Sequence, residues 1–323
     1  MISAVIVNWN TCEHLERCLA SLQETMPDLE KEVIVVDNAS SDNSVAMVRQ
    51  HFPQVRVIAN EQNRGFSAGV NNGLDASCGE YVLIMNPDIV LRRGVMEELV
   101  RYLDGHPDVG AVVPSLRNPD GSEQAGYFRR PPTVTQLLLF STLLAPWSSR
   151  RTSFVERYLE TRRVGDASAL EVEQIPGAFL LTTRSAIARV GRFDEDYRLF
   201  FEDVDWCARA HDRGLRLVML PRLEVTHIGG RSFLVDDGTR VQARYFVSCV
   251  TYFAKRGQRA KAVAAAVIIG LNSFAVLAKN SIFRGGSDAE ARRRASLSRR
   301  THRNTLRLFF KALVLRQDEG PLP

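Results

Sequence analysis

Asp88 stands just past the end of a hydrophobic run, and a carboxylate so placed can hold a hard divalent cation that in turn holds a diphosphate. The lead-in, Tyr81-Val82-Leu83-Ile84-Met85, is short, apolar and bounded by turn residues, which predicts a strand. Pro87 lacks a donor N–H and ends the pairing, so Asn86-Pro87-Asp88 projects from the strand's carboxyl end. Open α/β folds keep their ligands at that edge. The bland alternative is a polar loop in which Asp88 caps the next helix. Three further polar clusters weigh against it. The first predicted strand runs into Asn8-Trp9-Asn10, the second into Asp37-Asn38-Ala39-Ser40-Ser41-Asp42, and the third toward Asn63-Arg64-Gly65-Phe66-Ser67-Ala68-Gly69. One such loop is ordinary, since Asn, Asp and Ser favour turns for local reasons. In a parallel sheet all four emerge together and bring carboxylates, amides and an arginine to one crevice.

The second half of the chain adds acid–base and ligating groups. Glu202-Asp203-Val204-Asp205 opens a helix-like segment, Glu202–Asp212. Acids in a first turn offset the helix dipole, yet three of them beside Phe200, Phe201 and Trp206 exceed what capping needs. Burial against aromatics and a neighbouring carboxylate would raise the pKa of one acid toward that of a useful general base. His227, in Thr226-His227-Ile228-Gly229-Gly230, closes a predicted strand. On its own it reads more readily as a structural hydrogen-bonder than as a metal ligand.

These residues need a scaffold, and the first 113 residues supply one. Strand-like Ile2–Val7, Val33–Val36, Val55–Ile58, Tyr81–Met85 and Val109–Val113 alternate with helix-like Glu13–Glu24, Ser44–His51 and Gly94–Leu103. That alternation predicts βαβ units and a mainly parallel sheet flanked by helices. The pattern breaks between Ser115 and Glu173. There Val134–Trp147 is strongly apolar, bracketed by Arg129-Arg130 and Arg150-Arg151, and too short to span a bilayer. A buried helix and an interfacial element near a lipid substrate both fit it. Later, Ala178–Thr183 reads as a strand, and Leu215–Leu220 and Leu223–His227 as two short strands across a Pro221 turn. From Gln242 the chain reads as helical. Ala262–Ala278 is charge-free over 17 residues, about 26 Å as a helix, just short of the ~30 Å hydrocarbon core. A helix lying on or dipping into one leaflet is preferred to a single span, and packing against the catalytic part or a second subunit of a homo-oligomer is the rival.

The 323 residues, 45% hydrophobic and 24% charged, match a globular protein of one large domain or one and a half. Five scattered cysteines without a CxxC pair argue against a disulfide framework and a zinc site. A strand pattern beginning at Ile2 leaves no signal-peptide pattern, which predicts a cytoplasmic setting. Net charge is +5, but from Arg284 to Arg316 ten basic residues face only Asp288 and Glu290. Such a stretch suits anionic lipid headgroups. No nucleic-acid-binding module accompanies it, so no nucleic-acid partner is expected. The division expected is a catalytic domain, 1–238, and a helical, basic, membrane-associating region, 239–323.

As a set, Val5–Asn10 (VIVNWN), Val35–Ser44 (VVDNASSDNS), Asn63–Leu74 (NRGFSAGVNNGL) and Leu83–Val90 (LIMNPDIV) continue into Pro176–Leu181 (PGAFLL), Gly191–Arg209 and Val225–Ser232. In order and spacing this resembles glycosyltransferase family 2, the inverting enzymes of GT-A fold, and within it the bacterial rhamnosyltransferase-like branch. The resemblance covers roughly residues 1–235. It implies a nucleotide-sugar site formed by Asn8, Asn10, Asp37, Asn38, Arg64, Gly65, Asn86 and Asp88. Asp37 would accept the imide N–H of a uracil or thymine, and Arg64 would lie by the base or phosphates. Asp88 and His227 would ligate Mn²⁺ or Mg²⁺. The family's metal motif is Asp-x-Asp, and Asn86 here replaces the first acid, which removes one charge. Asp203 would be the general base, with Gly177 and Glu202 at the acceptor, and Asp205 would orient an arginine or a loop. The variants NWN, DNASSDNS and NPD look most like users of dTDP-L-rhamnose, with UDP- or other dTDP-sugars, galactofuranose and hexoses left open. A lipid-linked saccharide at the inner face of the cytoplasmic membrane is the implied acceptor. A dinucleotide oxidoreductase needs G-x-G-x-x-G after the first strand, where no glycine stands. A nucleotidyltransferase needs a glycine-rich basic loop there, and a degenerate binding module would release no nucleoside diphosphate.

Overall fold

The computed structural model describes residues 1–124, 131–140, 168–229, 239–282 and 289–309. Residues 141–147 of the apolar run, both arginine pairs that bracket it, Arg284, and the basic residues beyond Phe309 lie outside them. Strand β1 (Ile2–Asn8) pairs in parallel with β2 (Lys31–Asp37) and with β4 (Tyr81–Met85), and β2 pairs in parallel with β3 (Arg56–Ala59). Helices α1 (Cys12–Thr25), α2 (Ser44–His51), α3 (Phe66–Ala76) and α4 (Val95–Gly105) connect and cover these strands. The run of strand ends is in register: Asn8 sits opposite Asp37, and Asp37 opposite Ala59. The polar clusters are thereby delivered side by side.

Beyond β4 come β5 (Ile89–Val90), β6 (Val109–Arg117), the short helix α5 (Val134–Phe140), β7 (Leu170–Glu171) and β8 (Phe179–Thr183). Helices α6 (Arg184–Val190) and α7 (Glu202–Asp212) then lead into β9 (Arg216–His227). Sheet order is β3-β2-β1-β4-β8-β6-β9-β5, with β7 alongside β9. Strand β8 is antiparallel to both β4 and β6, and β9 is parallel to β6. Six of the nine described strands therefore share one direction, and the mainly parallel character holds. His227, at the end of β9, emerges on the same edge as Asn8, Asp37 and Asn86.

One expectation is corrected. Leu215–Leu220 and Leu223–His227 are not two strands across a turn but a single strand, β9. Pairing with β6 jumps from Pro114↔Leu220 to Ser115↔Glu224, so Pro221–Leu223 bulge out of the ladder. A bulge tolerates a residue with no N–H to donate, and Ser115 Oγ donates to the Pro221 carbonyl at 3.1 Å.

A main core fills the space between sheet and helices, from Ile2 to Val225. A second core joins Leu137 of α5 and Tyr197, Phe201, Val204 and Ala208 to two C-terminal helices, α8 (Thr239–Lys255) and α9 (Arg259–Ile282). The last described helix, α10 (Ala289–Phe309), packs on both. The second core crosses the boundary expected near residue 238. Helix α9 is 24 residues long, about 36 Å, longer than its charge-free run.

Candidate active site

The strand-end residues are first of all bonded to one another. Buried Asp37 accepts from Asn8 Nδ2 at 2.7 Å and Ser40 Oγ at 2.6 Å through Oδ1, and from the Ser40 N–H at 2.9 Å through Oδ2. An imide N–H from a pyrimidine base would find its room at Oδ2, which holds a single bond. Asn8 Oδ1 accepts from Thr11 Oγ1 at 2.6 Å. Asn10 takes a positive φ of 52°, donates its N–H to Ser40 Oγ at 2.9 Å and accepts from the Ser41 N–H at 2.7 Å. Asn38 donates its N–H to the Asn8 carbonyl at 2.8 Å and its Nδ2 to the Gly65 carbonyl at 3.0 Å, and accepts from Asn60 Nδ2 at 2.9 Å. Buried amides with all partners in place are rigid, so the first three clusters form one preorganised platform.

Gly65 occupies φ +97°, and a Cβ there would stand 2.4 Å from the Arg198 carbonyl oxygen, so no other residue fits. That close approach lets Phe66 N–H donate to the same carbonyl at 3.0 Å. Arg64 lies largely exposed, with Nη2 2.8 Å from Glu195 Oε2. A ligand phosphate would have to draw it from that partner. The third cluster is thus fastened to the loop that leads into α7.

Asp88 is buried at the mouth of the sheet. Its carbonyl accepts from Ile228 N–H at 3.0 Å and its Oδ2 from Gly229 N–H at 3.1 Å. Its Oδ1 is buried without a hydrogen-bonding partner among the described residues and lies 3.3 Å from His227 Nε2. Burial opposes ionisation of Asp88, but hydrogen bonds to it, that of the Gly229 N–H among them, outweigh it and hold the carboxyl below its usual range. Among the described residues no three His, Cys, Asp or Glu side chains converge on a metal position. The chain offers one carboxylate oxygen and one imidazole nitrogen, and that orphaned oxygen beside a nitrogen donor fits a divalent cation whose remaining ligands come from diphosphate and water.

Asp203 and Glu202 begin α7. Asp203 Oδ2 accepts from Gly177 N–H at 2.9 Å, and Oδ1 from Val204 N–H at 2.8 Å. A methyl group at Gly177 would meet the Phe66 ring at 3.3 Å and Asp203 Cβ at 3.6 Å. The close approach this glycine admits is therefore first that of the Phe66 ring, with Asp203 beside it. Burial raises the Asp203 pKa, against the lowering effect of the Gly177 and Val204 N–H groups. Glu202 is buried, with Oε2 lacking a partner among the described residues. Burial and then the Asp203 charge push its pKa well above the usual carboxyl range. Of the two, Glu202 is pushed further toward the neutral form, and Asp203, held by two N–H donors, is the better anion. Asp205 binds Arg209 Nε at 2.7 Å, and that arginine caps the carbonyls of Val190 and Arg192, the orienting contact expected of it.

Two backbone bonds join the acid to the metal loop. Asn86 N–H donates to the Ala178 carbonyl at 3.0 Å, and the adjacent Gly177 N–H holds Asp203. Asp203 and the Asp88–His227 pair are thus held against one short segment, an arrangement in which a base and a cation site would serve group transfer from a diphosphate.

Two contributors escaped sequence reasoning. Gln124 contacts His227 through both ends of its amide, and Glu195 bonds both Arg64 and Asn71 Nδ2. Their partners are over a hundred residues distant in sequence; Gln124 belongs to no periodic or motif-like stretch, and Glu195, though inside Gly191–Arg209, was not singled out there.

Residues 3–169 match the sequence profile of Glycosyl transferase family 2. An N-acetylglucosaminyl-diphospho-decaprenol L-rhamnosyltransferase of Mycobacterium tuberculosis is 30% identical over 257 residues, covering 76% of this chain and 81% of that one. The rhamnosyltransferase WbbL of Escherichia coli is 22% identical over 233 residues, 70% of this chain and 83% of its own. Among solved structures, mannosyltransferase PcManGT of Pyrobaculum calidifontis, in complex with GDP-Man and Mn²⁺, superimposes with a TM-score of 0.56 at 18% identity, over 98% of this chain and 88% of that one. That likeness gives the GT-A fold.

Proposed function

Since the chain belongs to glycosyltransferase family 2, and is a glycosyltransferase that draws on a nucleotide sugar, we propose that it transfers L-rhamnose from dTDP-L-rhamnose to a hydroxyl of a lipid-linked saccharide in cell-envelope polysaccharide synthesis. The observation that carries this is the meeting of Asp203 with the Asp88–His227 pair across Gly177–Ala178. The named activity of the M. tuberculosis relative, which covers three quarters of the chain, supports the sugar and the lipid-linked acceptor.

In this reading the platform of Asn8, Asn10, Asp37 and Asn38 seats the nucleoside, and Asn86 bonds the ribose. Asp203 takes the proton from the acceptor hydroxyl, whose oxygen attacks the anomeric carbon opposite the diphosphate, so configuration inverts without a covalent intermediate. Glu202, kept protonated, offers a hydrogen-bond donor to the acceptor sugar. Asp88 and His227 would hold Mn²⁺ or Mg²⁺, which neutralises charge on the departing diphosphate. Mixed His and carboxylate ligation favours Mn²⁺. Residues 1–238 carry the transfer site, and 239–323 bring it to the inner face of the cytoplasmic membrane.

The test is release of nucleoside diphosphate from a panel of dTDP- and UDP-sugars with Mn²⁺ and a polyprenyl-diphosphate-linked acceptor. dTDP-L-rhamnose should give the fastest release, and Asp88→Ala or EDTA should abolish it. Faster release from a UDP-hexose or a galactofuranose donor would reassign the sugar. Activity indifferent to EDTA would remove the metal from the reading.

A further inference from the structure

Gln124 follows β6 and a tight return closed by pairing of Arg117 with Glu123. Its own N–H donates to the Leu116 carbonyl at 3.1 Å, which fixes its backbone to the sheet, and the residue is only 9% exposed. Its amide spans His227. Nε2 donates to the His227 carbonyl at 2.6 Å, and Oε1 lies 2.8 Å from His227 Nδ1. A backbone carbonyl can only accept, so the amide nitrogen must face it and the amide oxygen must face the ring. An amide oxygen can only accept in its turn, so Nδ1 must carry a hydrogen. In the neutral ring this leaves the Nε2 lone pair directed at Asp88 Oδ1, 3.3 Å away. A cation beside both atoms would take that lone pair and the carboxylate oxygen as ligands.

We propose that Gln124 is a positioning residue that locks His227 in the Nδ1–H tautomer, so that Nε2 is presented to a divalent cation shared with Asp88. The inference rests on the metal reading above and adds the group that makes the histidine a ligand. Histidine ligands depend on such a partner at the second ring nitrogen, and losing it costs about 10–100-fold in metal affinity. Leu116 and Gln124 hold the ring from one side while Gly229 holds Asp88 Oδ2 from the other. The two ligating atoms are thus fixed before any ion arrives.

The experiment compares wild type with Gln124→Leu, which removes the acceptor, and Gln124→Glu, which keeps one. Nitrogen-15 spectra of histidine-labelled, metal-free protein, with His227 assigned through His227→Asn, read the tautomer. Calorimetry with Mn²⁺ in the presence of dTDP reads the affinity. The expected result is an Nδ1–H ring in wild type and Gln124→Glu, with Mn²⁺ affinities within about threefold of each other. Gln124→Leu should lose that tautomer and bind Mn²⁺ about 10–100-fold more weakly. A purely structural role for Gln124 would lower the melting temperature of Gln124→Leu and leave the tautomer in place, which overturns the proposal. So would an Nε2–H ring in wild type. Wild-type protein that binds no Mn²⁺ defeats the metal reading alone, since the tautomer signals still uphold or reject the lock.

Discussion

Asp203 suits the proposed role of base because of what surrounds it: two N–H donors keep it ionisable while burial raises its proton affinity. Asp203→Asn keeps the shape and one of the two oxygens that accept from the Gly177 and Val204 N–H groups, so donor affinity should hold while turnover falls at least ~10²-fold, the scale of losing a general base. Calorimetry with the donor beside steady-state rates checks it, and near-wild-type turnover would pass the role to Glu202 or Asp205. Glu202 makes a different prediction. Its folded-state pKa is raised, so its protonated form favours folding fully below the ordinary glutamate value of about 4.3, and that contribution is lost as pH rises. Glu202→Gln should therefore gain stability over wild type as pH increases above that value, by up to about 1.4 kcal/mol per pH unit. Denaturant melts from pH 4 to 8 measure the difference, and a constant offset would show that the group titrates normally. At this scale Asp88, Asp203 and His227 were legible because each sits in a motif at an element's end. Gln124 was not, because a single amide in an aperiodic stretch acquires its role only through contact with His227. The bonds that Asp37 and Asn38 make with neighbouring loops were equally hidden, since register is not written in either strand alone.

Helix α7 is entered through a strained corner. Phe200 and Phe201 both take positive φ, 64° and 70°, a conformation that costs non-glycine residues of order 1–3 kcal/mol each. Helix α8 holds them there. Tyr245 packs on Phe200 and Phe201 with ring centroids 5.8 and 5.3 Å apart, Tyr252 on Phe201 at 5.8 Å, and Ser248 Oγ donates to the Leu199 carbonyl at 3.0 Å. Lys255 adds an ion pair to Asp194 at 2.6 Å. Aromatic pairs contribute about 0.5–1.5 kcal/mol each beyond burial, comparable to the strain they restrain. Tyr245→Ala should then let the corner relax. Amide exchange at residues 201–205 should accelerate and turnover fall about tenfold, with donor affinity changed less because Asp37 and Asn38 bond to other loops rather than to α8. Unchanged exchange there would show that the corner is held by its own loop. Most elements were readable from the chain: α2 and α7 begin and end as their periodicity predicts, and β4 is bounded by its turn residues. Strand β9 misled because a proline usually ends a strand, and the bulge that tolerates Pro221 depends on β6. The brace of α7 by α8 was invisible for the same reason, being a contact between distant segments.

At the scale of the molecule, helix α9 has two faces of opposite exposure. Ala262, Ala265, Ile269, Ser273 and Val276 of α9 are buried against the protein, while Val263, Val267, Leu271 and Phe274 are 52–65% exposed. The four lie within one arc of the helix, opposite the buried set, at the spacing of an amphipathic stripe. Exposed Arg259 and Lys261 precede the stripe and Lys279 follows it, and α10 carries exposed Arg293, Arg300, Arg303 and Arg307. Apolar side chains bracketed by cations suit insertion to the headgroup boundary of an anionic leaflet, each basic residue near the surface adding about 1 kcal/mol. The packed inner face disfavours a free span, although α9 is long and apolar enough to cross a membrane by composition. A chain cut near Gly238 would strip Phe246 and Tyr252 from Phe201, confusing membrane affinity with folding. The cleaner variant replaces Val263, Val267, Leu271 and Phe274 by serine, all four outside the core. The intact chain should float with liposomes rich in anionic lipid at low salt, and the fourfold variant should lose most of that binding while hydrolysing or transferring from its donor in solution as before. Raising salt should weaken wild-type flotation partially, leaving the apolar share. Wild-type protein that stays wholly soluble at low salt would sink the membrane reading, and a shift from dimer to monomer in the variant would assign the stripe to a second copy of the chain.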